Sequence, residues 1–562
     1  MTDWNLTLCV FLPTAAALLL LPLPRNAPPW IFRGVALAAL AGSLVFAVIT
    51  AVLAAPQLAR PDGAVPPVAW RDLPTLDPAD RDHIHAAAAD RYARGFAAEA
   101  DADWIPAFHI RYHVGVDGIG LPLLVLTAAV SLLAMIAGCG VRDGAKGFAV
   151  LFLLLTTGTL GCFVALDFFL FYVFFEMMLL PMYFLIGLWG GPRRDYAALK
   201  FFLYTLAGSV LILVAMIGFA LNAGDPTAAF DLTRLPAEAG RWSIAFQGSM
   251  FVLLLVGFAV KLPLFPFHTW LPDAHVEAPT AVSMVLAGVL LKMGGYGLYR
   301  IAYPLCPAAA SADAVITILA LMGVLNIVYG ALAALAQTDL KRMVAYSSIS
   351  HMGFVLLGLA AVTPMGLTGG LYQMIGHGVT SAAMFFAVGM PAHRFGHREI
   401  ARFGGLANTM PTHTGLAMVA FFAAMGLPGL CGFPGEALSL LGAFPVRPTL
   451  TCVAVTGVVL SACYILWMVR RVYLGRPAGE PEPDEASDHA GDHAGAHADD
   501  HHAAAPPPGF DTRHDGRPWE NAVLAVFAAA AVVLGVFPGP LAEMFDARSA
   551  DIIDLVLPWA GR

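Results

Sequence analysis

Charge is scarce in this sequence. Asp, Glu, Lys and Arg make up 12% of 562 residues, about half the share usual for a soluble globular protein. Hydrophobic residues reach 59% and the mean hydropathy is +0.73. Too little polar surface is available to face water, which excludes a soluble enzyme and a disordered scaffold. Cysteine is also sparse. None of the seven (Cys9, Cys139, Cys162, Cys306, Cys431, Cys452 and Cys463) forms a CxxC or a Cys/His cluster with metal spacing. An iron–sulfur cluster takes about four thiolates, and no GxGxxG opens a βαβ unit. Any redox chemistry therefore belongs to another polypeptide. No basic block is present and the net charge is −8, which excludes a nucleic-acid partner. What remains is an all-α polytopic membrane protein in a lipid bilayer.

A span takes about 20 apolar residues. Fourteen candidates follow: 4–22, 31–55, 115–138, 147–166, 168–189, 199–222, 247–267, 280–300, 312–336, 343–361, 367–390, 412–438, 448–470 and 519–540. No basic region precedes the first, so it reads as a retained span and not as a cleaved signal. An even count places both termini on one side. Loops after odd spans, with the span ends beside them, carry Arg25, Arg33, Arg142, Lys146, Arg193, Arg194, Lys200, Lys341, Arg342, Arg394, Arg398, Arg402, Arg470 and Arg471, whereas the short loops after even spans carry only Arg234, Arg241, Arg300 and Arg447. By the positive-inside rule the loops after odd spans face the cytoplasm and both termini face outward. The Ala-, Pro- and Asp-rich segment 56–112 is expected to be a periplasmic loop. Segment 476–518 is a low-complexity cytoplasmic linker with His489, His493, His497, His501 and His502 among Asp, Ala and Gly. A spacing of four could align histidines for a metal, but Gly491 and Gly495 weaken a helix, and the tract reads as solvated. Residues 519–562 are read as a last span and a tail.

The cost of charge at bilayer depth singles out a few residues. Of 31 lysines and arginines, only Lys261 and Lys292 lie well inside apolar runs. Glu176 sits in FFLFYVFFEMMLLPMYF and Glu436 in GLPGLCGFPGEALSLLGAF, while His351 and His377 are histidines inside spans. A structural reading exists for each. Glu176 and Lys261 could be a static ion pair, and each histidine could simply bond a neighbouring helix. A desolvated lysine, however, gives up its proton more readily. The set therefore points to proton transfer. Asp117 and Asp167, at the outer ends of their spans, read as helix caps.

Two spans should be broken. Lys261 is followed by Pro263 and Pro266, and Glu436 is preceded by Pro428, Gly429, Gly432, Pro434 and Gly435. Proline removes a helix donor, and interrupted spans in matching halves point to an ion site in transporters built from inverted repeats. The same separation of 85 residues divides Glu176 from Lys261 and His351 from Glu436. Span five would then match span ten, and seven would match twelve. An odd offset of five spans requires halves of opposite orientation: 147–300 and 312–470.

The segment KLPLFPFHTWLPDAHVEAPTAVSMVLAGVLLKMGGYGLY at 261–299 resembles the proton-channel signature of the antiporter-like subunits of respiratory complex I. Further resemblances are VGVDGIGLPLLVLT at 114–127, QTDLKRMVAYSSISHMGF at 337–354, FGGLANTMP at 403–411 and GLPGLCGFPGE at 426–436, so that it covers roughly 110–475. The form LPDAHVEAPT and the glutamate at 436 resemble the M type, the counterpart of mitochondrial subunit 4. The L and N types differ at the first and carry lysine at the second. The resemblance implies fourteen helices with two inverted five-helix repeats. It implies proton transfer through Glu176, Lys261, Lys292, His351, His377 and Glu436, coupled to NADH oxidation and quinone reduction in other subunits. FMN, iron–sulfur clusters and quinone would belong to those subunits, with none in this chain. Neighbouring L and N chains would be the closest partners, in the bacterial inner membrane. Cys431 and Pro434 depart from the pattern, where serine and a plain aliphatic residue are expected, and the His/Asp-rich insert is foreign to it. An Mrp-type sodium/proton antiporter subunit and a membrane-bound hydrogenase subunit share the fold and stay as alternatives.

Overall fold

The computed structural model describes residues 3–58, 78–475 and 515–560. Among these, twelve helices are long and apolar enough to cross a membrane, and Trp4–Leu20 is a shorter apolar helix. The twelve coincide with twelve of the expected segments. Candidate 412–438 is instead two helices, Pro411–Ala424 and Gly432–Ala443. Seven residues, 425–431, separate them, with Gly426 and Gly429 at positive φ, where glycine lacks the Cβ that would clash.

Burial divides the spans. In Thr280–Leu305 and Pro364–Phe395 the most apolar stretch is wholly inside the protein, and in Leu340–Ala361 almost so. Pro29–Leu58, Arg194–Asn222 and Pro448–Val472 leave most of theirs outside, so they form the perimeter. With no hydrophobic drive between helices in lipid, close contact relies on small residues. Gly323 and Gly353 oppose each other across two spans, where a Cβ on either would meet the other's carbonyl oxygen at 3.0 or 2.6 Å.

Three spans depart from a plain helix beside the residues of interest. Phe168–Met177 ends in a turn at Met178 before Leu179–Trp189. Pro181 has no N–H to give to Met177, which explains the interruption directly after Glu176. Ile244–Lys261 stops at Lys261, and helix resumes only at Trp270–Glu277, as Pro263 and Pro266 require. Thr280–Leu305 contains two π-helical turns, Leu286–Leu290 and Leu298–Ala302, on either side of Lys292.

Segment 56–112, expected as a loop, holds regular secondary structure among its described residues. It contains a helix, Pro78–Arg94, and a two-stranded antiparallel hairpin follows, with β1 at Ala97–Ile105 and β2 at Ile110–Val116. The strand takes the first residues of candidate 115–138, and helix begins only at Gly120. The alternating Ala and acidic residues of β1 carry no apolar alternation, so strand was not legible there. The hairpin docks on the start of the next spans through Leu166 N–H to His113 O (2.9 Å). The tail also corrects the sequence reading. Gly539–Val556 is a helix packed on Pro364–Phe395 and on Pro78–Arg94. The end of the bundle formed by these pieces is called the hairpin end below. The histidines of the 484–502 insert lie outside the described residues.

Candidate functional site

Lys292, His377, His351 and Glu436 form one row. Each is at most 3% exposed. Lys292 Nζ donates to Ala287 O (2.5 Å) and lies 2.8 Å from His377 Nδ1. The carbonyl of Ala287 belongs to the first π-helical turn, whose widened pattern leaves an oxygen for a side chain. The His377 and His351 rings are 5.6 Å apart between centroids. His351 Nδ1 is 3.1 Å from Glu436 Oε1. The break at 425–431 brings Gly426 against this carboxylate: a Cβ there would meet Glu436 Oε2 at 2.6 Å.

The row crosses between the spans Thr280–Leu305, Pro364–Phe395 and Leu340–Ala361 and ends on Gly432–Ala443. His351 Nε2, His377 Nε2, Gln373 Oε1, Ser439 Oγ and Tyr464 Oη are buried with no protein hydrogen-bond partner. Open valences of this kind beside ionisable groups suit bridging water.

Glu176 and Lys261 are placed differently. Lys261 is 2% exposed and Glu176 is half-buried, but no ion pair joins them among the described residues. The Lys261 ammonium donates to Met178 Sδ (3.6 Å) and sits 4.9 Å from the Phe175 ring centre and 5.8 Å from that of Phe201. The kink at Met178 thus supplies the lysine with a thioether where a close carboxylate was expected. Nor does any hydrogen bond link Lys261 to Lys292. Their helices touch backbone to backbone, since a Cβ on Gly294 would meet Leu262 N at 2.6 Å. Phe171, Phe175, Phe258 and Tyr296 pack together around this gap. Asp167 caps Phe168–Met177 by accepting from Leu170 N (2.9 Å), as expected. Asp117 accepts from Gly120 N (2.8 Å) and is also ion-paired to Arg300 and Arg548.

The family described as NADH:quinone oxidoreductase/Mrp antiporter, TM, matches residues 165–461, just over half of the chain. NADH-quinone oxidoreductase subunit M of Rhodobacter capsulatus is 37% identical over 555 residues, 98% of this chain and 96% of that protein. This chain belongs to the NADH-quinone oxidoreductase subunit M family. A chain of the solved respiratory complex I from Thermus thermophilus with bound NADH superposes with a TM-score of 0.78 at 29% identity, covering 98% of this chain and 99% of that one. A chain of the Mrp complex from Dietzia sp. reaches 0.70 at 21% identity, covering 94% and 99%, and shares the fold. Members of the subunit M family are multi-pass membrane proteins related to a chain that sits within the complex I assembly. All six ionisable residues singled out above lie inside the matched stretch 165–461 of this subunit M family member.

Several buried polar residues escaped the sequence reading. Lys341 was counted among loop cations, yet it is 5% exposed and donates to Ala278 O (2.8 Å). His275 is fully buried, stacked on Phe385 at 4.3 Å. Gln373 lies 3.5 Å from His351 Nδ1. Its position four before His377, one helical turn away, is a signal that could have found it. Arg300 and Arg548 were assigned to a span end and a tail, and both are buried. No group of three or more His, Cys, Asp or Glu residues suited to a metal occurs among the described residues.

Proposed function

We propose that this chain carries one proton channel in the membrane arm of an NADH-quinone oxidoreductase. Electron transfer from NADH to quinone, with its FMN and iron–sulfur clusters, takes place in partner subunits, so the chain is part of an enzyme without holding a redox centre. Its neighbours would be the L- and N-type antiporter-like chains, in the bacterial inner membrane. The carrying observation is the buried row Lys292–His377–His351–Glu436. Placing four ionisable groups at bilayer depth is costly, and their spacing is that of hydrogen bonds or of one bridging water.

Each group has a role in this reading. Glu176 sets the charge beside Lys261. When the pair is apart, as in this structure, the lysine loses the partner that favours its charged form and releases its proton. Lys292 takes the proton and passes it through His377 and His351 to Glu436, from which it leaves at the hairpin end. Coupled groups of this kind titrate jointly. Residues 147–300 and 312–470 act as inverted halves, the first loading the row and the second discharging it. The broken helices after Lys261 and before Glu436 support that division.

The test is Lys292→Ala in the assembled complex, reconstituted in vesicles and supplied with NADH and quinone. Proton uptake should fall to near zero while the partner subunits still copurify. Undiminished pumping in an assembled Lys292→Ala complex overturns the proposal.

A further inference from the structure

Lys292, Tyr296 and Arg300 follow one another at four-residue steps along one span. Arg300 lies roughly 12 Å beyond Lys292 towards the hairpin end, at 1.5 Å rise per residue. Lys292 reaches the other way, back to Ala287. Arg300 Nε donates to Tyr296 Oη (3.1 Å), Arg300 Nη1 to Tyr92 Oη (3.1 Å), and its other nitrogen pairs with Asp117. From the far side Arg548 Nε donates to Asp117 Oδ2 (2.6 Å) and Arg548 Nη1 to Tyr92 O (2.9 Å). The three charged residues are at most 2% exposed.

The packing leaves no slack. The Phe96 ring centre is 5.0 Å from Arg300 Cζ and 4.3 Å from Arg548 Cζ, so its ring contacts both guanidinium groups. A Cβ on Gly95 would meet Arg548 Nη1 at 2.3 Å. A Cβ on Gly118 would meet Met544 O at 2.2 Å.

The charge count is unequal. One carboxylate faces two guanidinium groups, which keep their protons at any physiological pH. Asp117 is itself held ionised. Burial would raise its carboxyl, but Arg300 and Arg548 outweigh that and hold it at about 2. Among the groups at most 2% exposed, two guanidinium groups thus face one carboxylate, so the fully enclosed core is net positive. At the outer rim Arg548 Nη1 also donates to Asp551 Oδ2 (3.3 Å), a 13%-exposed carboxylate that is shared, like Asp554, with half-exposed Arg91. A fixed cation in a tightly packed passage repels protons, as arginine does in water-conducting pores.

We propose that the Asp117–Arg300–Arg548 triad is a proton barrier that closes the hairpin end beneath Lys292 and turns its proton sideways to His377. This rests on Lys292 being a proton carrier. Arg548 belongs to the Gly539–Val556 helix, so the barrier is completed by a segment far along the chain from the span that carries Lys292.

The experiment is passive. The intact complex is reconstituted in vesicles without NADH, a pH gradient is imposed, and its decay is followed with an entrapped pH dye. Arg548→Gln should speed the decay several-fold, Arg548→Lys should leave it unchanged, and Asp117→Asn, which adds net positive charge, should not speed it. The charge-balanced double variant Asp117→Asn/Arg548→Gln should stay tight, and it serves where the single variant fails to assemble. A clasp that only holds the fold predicts the reverse: leak from Asp117→Asn and from the double variant. Either result, or a tight Arg548→Gln, overturns the barrier. Adding Lys292→Ala to Arg548→Gln should abolish the leak. A leak that persists in that combination rejects Lys292 as the carrier and leaves the barrier standing.

Discussion

The two halves of the buried polar system are built differently. In one, the row of Lys292, His377, His351 and Glu436 is linked by contacts of 2.8 and 3.1 Å and one ring-to-ring step of 5.6 Å. In the other, Glu176 and Lys261 are apart, and no hydrogen bond joins Lys261 to Lys292. In the proposed channel the linked row needs only protons to enter it. The Glu176–Lys261 pair, in the same proposal, has to move before a proton passes to Lys292. In the proposed function conduction belongs to the linked row and control to the Glu176–Lys261 pair, since a switch requires two arrangements and a wire requires one.

That contrast breaks most severely if the linked half tolerates loss of a member. Glu436→Gln removes the terminal proton acceptor while keeping shape. NADH-driven acidification should fall about 100-fold, in the range of a lost acid–base group, and near-normal acidification would remove Glu436 from the route. Lys261→Ala should follow closely in pumping. Glu176→Gln should be milder, lowering it several-fold, because a neutral amide removes a controlling charge and no step of the route. A Glu176→Gln effect equal to that of Glu436→Gln would mean that the halves are not distinct. Gln373→Leu should slow pumping about two- to threefold, the cost of one neutral hydrogen bond to His351. Rates measured against Gln373→Glu would show whether the amide merely fills space.

The smallest effect concerns Asp117 and pH. Its folded carboxyl titrates at about 2, below its ordinary value of 3.8. A depressed carboxyl stabilises the fold fully above the unfolded value and loses that contribution as pH falls through the folded one. The Gly539–Val556 helix should therefore stay docked from neutral pH down to about 4 and loosen only towards pH 2. Hydrogen exchange over 539–556, corrected for the intrinsic pH dependence, checks this. Release already at pH 5 to 6 would show that another group sets the clasp.

Much of this was legible in the sequence. Spans are long apolar runs because every backbone polar group in lipid must be bonded within its own helix, and the breaks beside Lys261 and Glu436 are written in proline and glycine. The buried lysines, glutamates and histidines stood out because charge in lipid is rare. The rest depends on distances along the chain that no local pattern reports. Asp117 and Arg548 are 431 residues apart, and Arg548 looks like any amphipathic surface residue until its helix docks. Lys341 and Arg300 read as loop or span-end cations because an apolar window cannot see what covers a span's end. The thioether contact of Lys261 follows from a kink at Met178, whose direction Pro181 alone does not set.

The paired π-turns around Lys292 have a mechanical consequence. Each turn stores one surplus residue, and shifting it along by one position rotates the intervening segment by about 100° while both anchored ends stay put. Lys292 sits on that short segment, 291–297. A shift of one residue in both turns would swing its ammonium out of reach of His377.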